Sequence, residues 1–198
     1  VGTEALYTNN PTTATNGFKN TAVGVFALRS NTTGFNNTAM GNNALFANTT
    51  GSNNTAIGYD AQVAVATNSN QVRIGNTLVT KADIQLAWTI TSDRRRKSDI
   101  QPSNLGLNFI SKLKPVSYFR NNDESKKLEY GFIAQDLEEA LNTSGASNNG
   151  IISKDDAGMY GVRYNDLMAP MVKAIQEQQK MIEELRIEIE MLKKQDKK

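Results

Sequence analysis

The sequence predicts two modules of different class: an all-β stacked-coil repeat (a β-roll or β-prism), then an α+β domain ending in a long coiled-coil helix. Three observations predict it. Gly24, Gly41, Gly58 and Gly75 recur every 17 residues, the composition breaks near residue 91, and an apolar heptad begins at Met168. Of 18 Thr, 17 lie at or before Thr91, whereas 35 of the 42 charged residues lie after it. One packed core does not sort its residues this way, so the chain reads as modules: 1–76 the repeat, 77–91 a β-rich junction, 92–169 the α+β domain and 170–198 the coiled coil.

In the repeat, Asn20-Thr21-Ala22-Val23-Gly24 returns as Asn37-Thr38-Ala39-Met40-Gly41 and Asn54-Thr55-Ala56-Ile57-Gly58. The phrase Asn31-Thr32-Thr33-Gly34 returns as Asn48-Thr49-Thr50-Gly51, and a degraded copy, Gln71-Val72-Arg73-Ile74-Gly75, closes the series. Seventeen residues are too few for a helical hairpin but suit a coil of short strands and Gly/Asn turns. Stacking the coils superimposes Val23, Met40, Ile57 and Ile74 in one apolar ladder and Ala27, Ala44 and Ala61 in another, with Asn and Thr bonding between rungs. Such a core is thin against a backbone entropy of about 1–2 kcal/mol per residue, so several chains are expected to share it.

Residues 77–91 read as further strands. Beyond Ser92, Leu105, Phe109, Ile110 and Leu113 share a helical face that Pro115 ends. Val116 to Arg120 and Leu128 to Tyr130 read as paired strands, Ile133, Leu137 and Leu141 as a second short helix, and Ile151-Ile152 with Met159 to Tyr164 as a hairpin turning at Asp155 to Gly158. The final helix carries Met168, Ile175, Ile182 and Ile189 at one core position, and Met171, Gln178, Leu185 and Leu192 at the other. Ile/Leu pairing by itself leans towards dimers.

Composition narrows the chemistry. With no Cys and no His there is no disulfide framework, no thiolate or imidazole metal site, no Cys nucleophile and no Ser-His-Asp triad. A net charge of +2 does not point to nucleic acid, and no apolar run could span a membrane. The chain starts at Val1 rather than Met, as a piece of a longer protein would. No metal or cofactor is expected. The nucleophile–base pair that remains is Ser plus Lys, and both occur at the composition break: Thr91-Ser92-Asp93-Arg94-Arg95-Arg96-Lys97. A lysine base must be neutral, whereas the reference value of about 10.4 leaves well under about 1% neutral at pH 7. Burial and adjacent cations favour the neutral form. Residues five apart do not meet on a straight helix or strand, so Ser92 reaches Lys97 only through a loop or between chains. From the residues alone, an exposed basic loop or a phosphate-binding patch is the better reading of the run.

The repeat, over roughly residues 14–76, resembles the heads of trimeric autotransporter adhesins and the shafts of phage tail fibres. The second half resembles the C-terminal intramolecular chaperone of endosialidase-type phage tail spikes and fibres, a domain also found in myelin regulatory factor proteins. That resemblance rests on Ser92 to Lys97, the run Leu107 to Tyr118, Tyr130-Gly131-Phe132-Ile133-Ala134-Gln135-Asp136-Leu137, and the helix from Tyr164 to Leu192. It departs from the family at Asn142, where Pro is common.

The resemblance implies a homotrimer whose chaperone domain guides folding of the fibre and then cuts itself off at the Thr91–Ser92 bond. Catalysis falls to Ser92 and Lys97, and Asp93 and Arg95 complete the family's Ser-Asp-x-Arg-x-Lys pattern; backbone amides or Arg95 are the candidates for stabilising the oxyanion. It further implies a virion location after assembly in the host cytoplasm, a host-surface receptor or glycan as partner of the fibre, and no nucleic acid or membrane span. The competing expectation is a non-cleaving trimeric adhesin on a bacterial surface, its second half a structural cap. A transcription factor of the myelin regulatory type needs a DNA-binding domain and a membrane span, and glycan cleavage needs paired carboxylates; the acids of the repeat and junction are only Glu4, Asp60 and Asp83.

Overall fold

A computed structural model describes residues 1–11, 16–155 and 158–196. The chain divides into two units, Val1–Gln85 and Leu86–Lys198. The expected repeat, hairpin turn and coiled coil thus include positions 12–15, 156–157 and 197–198, which lie outside the described residues.

In the first unit, β1 (Thr21–Val23), β2 (Thr38–Met40), β3 (Thr55–Ile57) and β4 (Val72–Ile74) form one parallel sheet in chain order. Every partner lies 17 residues on: Ala22 faces Ala39, which faces Ala56. Between strands the bonds recur with the same 17-residue period, Leu28 N–H donating to Ala44 O and Leu45 N–H to Ala61 O, each at 3.0 Å. The interior is narrow, and small side chains fill it. Ala22, Ala39, Ala56, Ala27, Ala44, Ala61, Leu28 and Leu45 make the buried cluster.

One reading of the repeat needs correction. Val23, Met40 and Ile57 do stack in register, but on the outside, where they are 41–46% exposed. On a three-residue strand the middle side chain and its neighbours face opposite sides, and the middle position is Ala. A further copy of the coil also precedes residue 14, ahead of the stretch that carries the resemblance. Gly24 N–H donates to Val1 O at 2.8 Å, as Gly41 does to Val23 O at 2.7 Å, and Leu6 N–H reaches Ala27 O at 3.0 Å. This first copy is offset by 22 residues rather than 17. Its signature, Val1-Gly2 with Ala5-Leu6, matches Val23-Gly24 with Ala27-Leu28.

Buried asparagines link the copies. Asn48 Nδ2 donates to Asn31 Oδ1 at 2.8 Å, and Asn31 Nδ2 to Asn9 Oδ1 at 2.7 Å. A second column runs through backbone: Asn37 Oδ1 accepts from Asn54 N–H, and Asn54 Oδ1 from Gln71 N–H, at 2.9 and 3.0 Å. Thr32 and Thr49 hydroxyls also donate one copy onward.

The strands expected over 77–91 do not form. A strand needs a hydrogen-bonding neighbour, and here Leu86, Trp88 and Ile90 are exposed with none.

The second unit holds α1 (Leu107–Ile110), β5 (Pro115–Tyr118), β6 (Glu129–Phe132), α2 (Ala134–Asn142), β7 (Ile152–Lys154), β8 (Tyr160–Val162) and α3 (Met168–Gln195). β5 pairs with β6 and β7 with β8, both antiparallel. Leu105, Phe109, Leu137, Ala140, Leu141, Ile151 and Leu167 form its core. α1 is shorter than the apolar face suggested. Its first turn is fixed from α3, where the Glu177 carboxylate accepts from Leu107 N–H at 2.6 Å, and Lys173 Nζ donates to Ser103 O. Pro170 sits in the first turn of the 28-residue α3, where its missing N–H costs nothing. The heptad positions Met168, Met171, Ile175, Ile182, Leu185, Ile189 and Leu192 are all exposed.

Candidate active site

The first regular structure of the second unit is a single 3-10 turn, Arg94–Arg96. Extended residues flank it, Asp93 at φ −64°, ψ 135° and Lys97 at φ −127°, ψ 139°. One tight turn between two extended residues reverses the chain, so the residues beside it come face to face. Lys97 Nζ donates to Ser92 Oγ at 2.7 Å, within one chain. The turn itself is closed by Arg96 N–H on Asp93 O and Lys97 N–H on Arg94 O, each 3.1 Å.

Asp93 caps that turn. Its Oδ1 accepts from Arg95 N–H at 2.8 Å and Arg95 Nε at 3.0 Å, while Oδ2 accepts from Arg95 Nη2 at 2.7 Å. The guanidinium, and after it the amide, holds the Asp93 carboxyl below its ordinary value, and the carboxylate in turn raises Arg95. Asp before a turn is the usual way to satisfy a first-turn N–H. Sequence reasoning placed Asp93 in a pattern without reading its role; the signal was an Asp two residues ahead of the amide it caps.

Thr91, Asp93, Arg95 and Arg96 line a depression of about 550 Å³ beside the turn. Residues 91–97 are all exposed. Among the described residues, no group of acidic side chains could hold a metal ion, and no helix is long and apolar enough to cross a membrane.

A serine hydroxyl hydrogen-bonded to a lysine amine is a pairing that nucleophilic catalysis uses, and here the serine is the residue that follows the Thr91 carbonyl in the chain. The structure brings Ser92 and Lys97 together and leaves Arg95 on Asp93, not on the Thr91–Ser92 peptide.

Residues 92–146 match the peptidase S74 family, described as the chaperone of endosialidase. The match begins on Ser92 itself and runs through the turn, α1, β5, β6 and α2. The second unit therefore carries a chaperone-of-endosialidase segment. No curated protein sequence matches the chain.

Proposed function

We propose that this chain is the C-terminal part of a trimeric tail fibre or tail spike. Its second unit guides trimerisation and folding of the repeat, then releases itself by cutting the Thr91–Ser92 bond. The observation that carries the reading is the 2.7 Å contact between Lys97 Nζ and Ser92 Oγ at the first residues of the matched segment. Self-association is supported by two exposed apolar seams, Val23-Met40-Ile57 on the sheet and Met168 to Leu192 on α3. Parallel pairing of distant residues nucleates slowly, and a helical bundle forming first would hold three chains in register while it does so. The repeat would then meet a host-surface receptor or glycan, on the virion.

The chemistry needs no cofactor. Lys97 Nζ takes the Ser92 hydroxyl proton as Oγ attacks the Thr91 carbonyl carbon. The resulting oxyanion collapses, the Thr91–Ser92 C–N bond breaks, and the Ser92 nitrogen takes the proton back as an α-amine. Water then hydrolyses the ester left between the Thr91 acyl group and Ser92 Oγ, giving a Thr91 carboxylate and a free hydroxyl. Each chain turns over once. Losing the guide leaves the fibre kinetically trapped, since an unfolded fibre would have no template for its return.

Denaturing electrophoresis with intact mass tests the reading. Wild type yields pieces 1–91 and 92–198, and Ser92→Ala and Lys97→Ala each yield one uncut species. Cutting of Ser92→Ala at the wild-type rate would sink it. One observation favours the competing non-cleaving adhesin: Ser92 and Lys97 are both exposed in the single chain. That reading predicts a single uncut species from wild type under every condition.

A further inference from the structure

In the mechanism above, Arg95 has no task. Its guanidinium and its amide are both spent on the Asp93 carboxylate. Among the described residues, and apart from the Ser92–Lys97 contact, those are the only side-chain bonds made by residues 91–97, all of which are exposed. The turn is therefore shaped from within. Without the cap, the Arg95 amide faces water, and only the two backbone bonds of the turn and the Ser92–Lys97 contact hold it against the many conformers open to an exposed basic loop.

We propose that Asp93 and Arg95 are positioning residues: the carboxylate gathers the Arg95 amide and guanidinium, fixes the turn, and so delivers Ser92 Oγ to Lys97 Nζ. The proposal rests on the Ser–Lys reading and deepens it. It also removes Arg95 from the candidates for the oxyanion, leaving backbone amides or a neighbouring cation. Arg96, which makes no ion pair among the described residues, shares the depression with Thr91. Between the two positioning residues, Asp93 matters more. An exposed ion pair contributes little by itself, whereas the cap also satisfies a backbone N–H.

Because the chain has no cysteine, Ser92→Cys carries the sole thiol in the full-length protein. A cation beside a thiol lowers its pKa and speeds alkylation at neutral pH. The experiment measures the pH dependence of iodoacetamide alkylation in Ser92→Cys, alone and combined with Lys97→Ala, Asp93→Ala, Asp93→Asn or Arg95→Ala. Circular dichroism checks that helix content is unchanged.

The midpoint in Ser92→Cys is expected below the free-thiol value of about 8.5, and Lys97→Ala should raise it. The decisive variant is Asp93→Ala. Removing an acid purely as a charge would lower the midpoint further, whereas losing the clamp raises it and slows alkylation at pH 7 roughly three- to tenfold. Asp93→Asn, which still caps, should fall between. In the Ser92 background, Asp93→Ala slows cleavage by roughly ten- to hundredfold and Arg95→Ala by less, with the double variant no slower than Asp93→Ala.

An unmoved or lowered midpoint in Asp93→Ala overturns the clamp, even if wild type cuts and Ser92→Ala does not. A raised midpoint in a chain that never cuts keeps the clamp and overturns the cleavage reading instead.

Discussion

In the first unit the deepest polar side chains are asparagines; in the second, among the described residues, every buried side chain is apolar and the ions stay on the surface. Asn31, Asn37, Asn48 and Asn54 are 0–1% exposed, and among the described residues no buried side-chain polar atom lacks a partner. Arg120–Glu129, Lys154–Glu138 and Arg163–Asp166, by contrast, are pairs on the outside of the second unit. The difference follows from what each unit has to bury. A coil lined by Ala and two Leu gains little from apolar area, so it draws its order from fully satisfied amides that accept only a neighbour in the correct register. The second unit has Phe109, Leu137 and Leu141 to close on, and its polar groups are free to stay wet.

The largest effect is expected at the repeat's glycines. Gly41 has φ 133°, and a Cβ there would run into the Gly58 carbonyl of the next copy. Gly41→Ala should cost at least about 3 kcal/mol. Gly145 in the second unit also has positive φ (77°), but open space around it, so Gly145→Ala should cost only about 1 kcal/mol. Thermal melts followed by circular dichroism compare the two. Equal losses would mean that the copies are not held as closely as their backbone bonds imply.

Next come the amides. Asn54 accepts from Gln71 N–H at 3.0 Å and donates to Asn68 O at 2.7 Å, out of water; Asn53 bonds Asn70 at 3.1 Å on the exposed side. Asn54→Ala is expected to cost about 2–4 kcal/mol and Asn53→Ala under about 1 kcal/mol, read from urea midpoints. Similar costs would break the distinction between a ladder that orders the unit and one that only decorates it.

The smallest effect separates the units by pH. The carboxyls of Asp123, Glu129 and Glu138 are held low, chiefly by Ser125, Arg120 and Lys154 respectively, and all lie in the second unit. A lowered folded value means the stabilisation is complete above the unfolded value, about 4, and lost as pH falls through the folded one. The second unit's unfolding midpoint should thus stay level from about pH 7 to 5 and fall below about pH 4, less steeply in Glu138→Gln. An acid loss confined to the first unit would contradict the placement of these groups.

How much of this was legible depends on where the information sits. The 17-residue period and the pairing of Val23 with Met40 and Ile57 are written locally in each copy, so the register could be read directly. Which side of the strand faces inward could not be read from hydrophobicity, because the narrow coil admits Ala22, Ala39 and Ala56 and turns the larger residues out. The copy at residues 1–10 escaped a fixed-period reading because five extra residues separate Asn10 from Gly17. Even so, Asn9 Nδ2 reaches Gly17 O at 2.6 Å, as Asn31 Nδ2 reaches Gly34 O at 2.9 Å. The alternating apolar run before Thr91 was read as strand, and within one chain it has nothing to pair with. At the turn, residue types narrowed the candidates to Ser92 and Lys97, while the cap of Asp93 on Arg95, signalled only by an Asp two residues ahead of that amide, went unread.

Those five extra residues carry a consequence of their own. A parallel ladder of near-identical copies is almost invariant under translation by one copy: shifted by 17 residues, Thr38 could lie where Thr55 belongs and lose only a terminal rung. Perfect periodicity is thus a source of ambiguity, like a ruler with unnumbered marks. The first copy, spaced by 22, is the one interval that matches no other. It numbers the ruler.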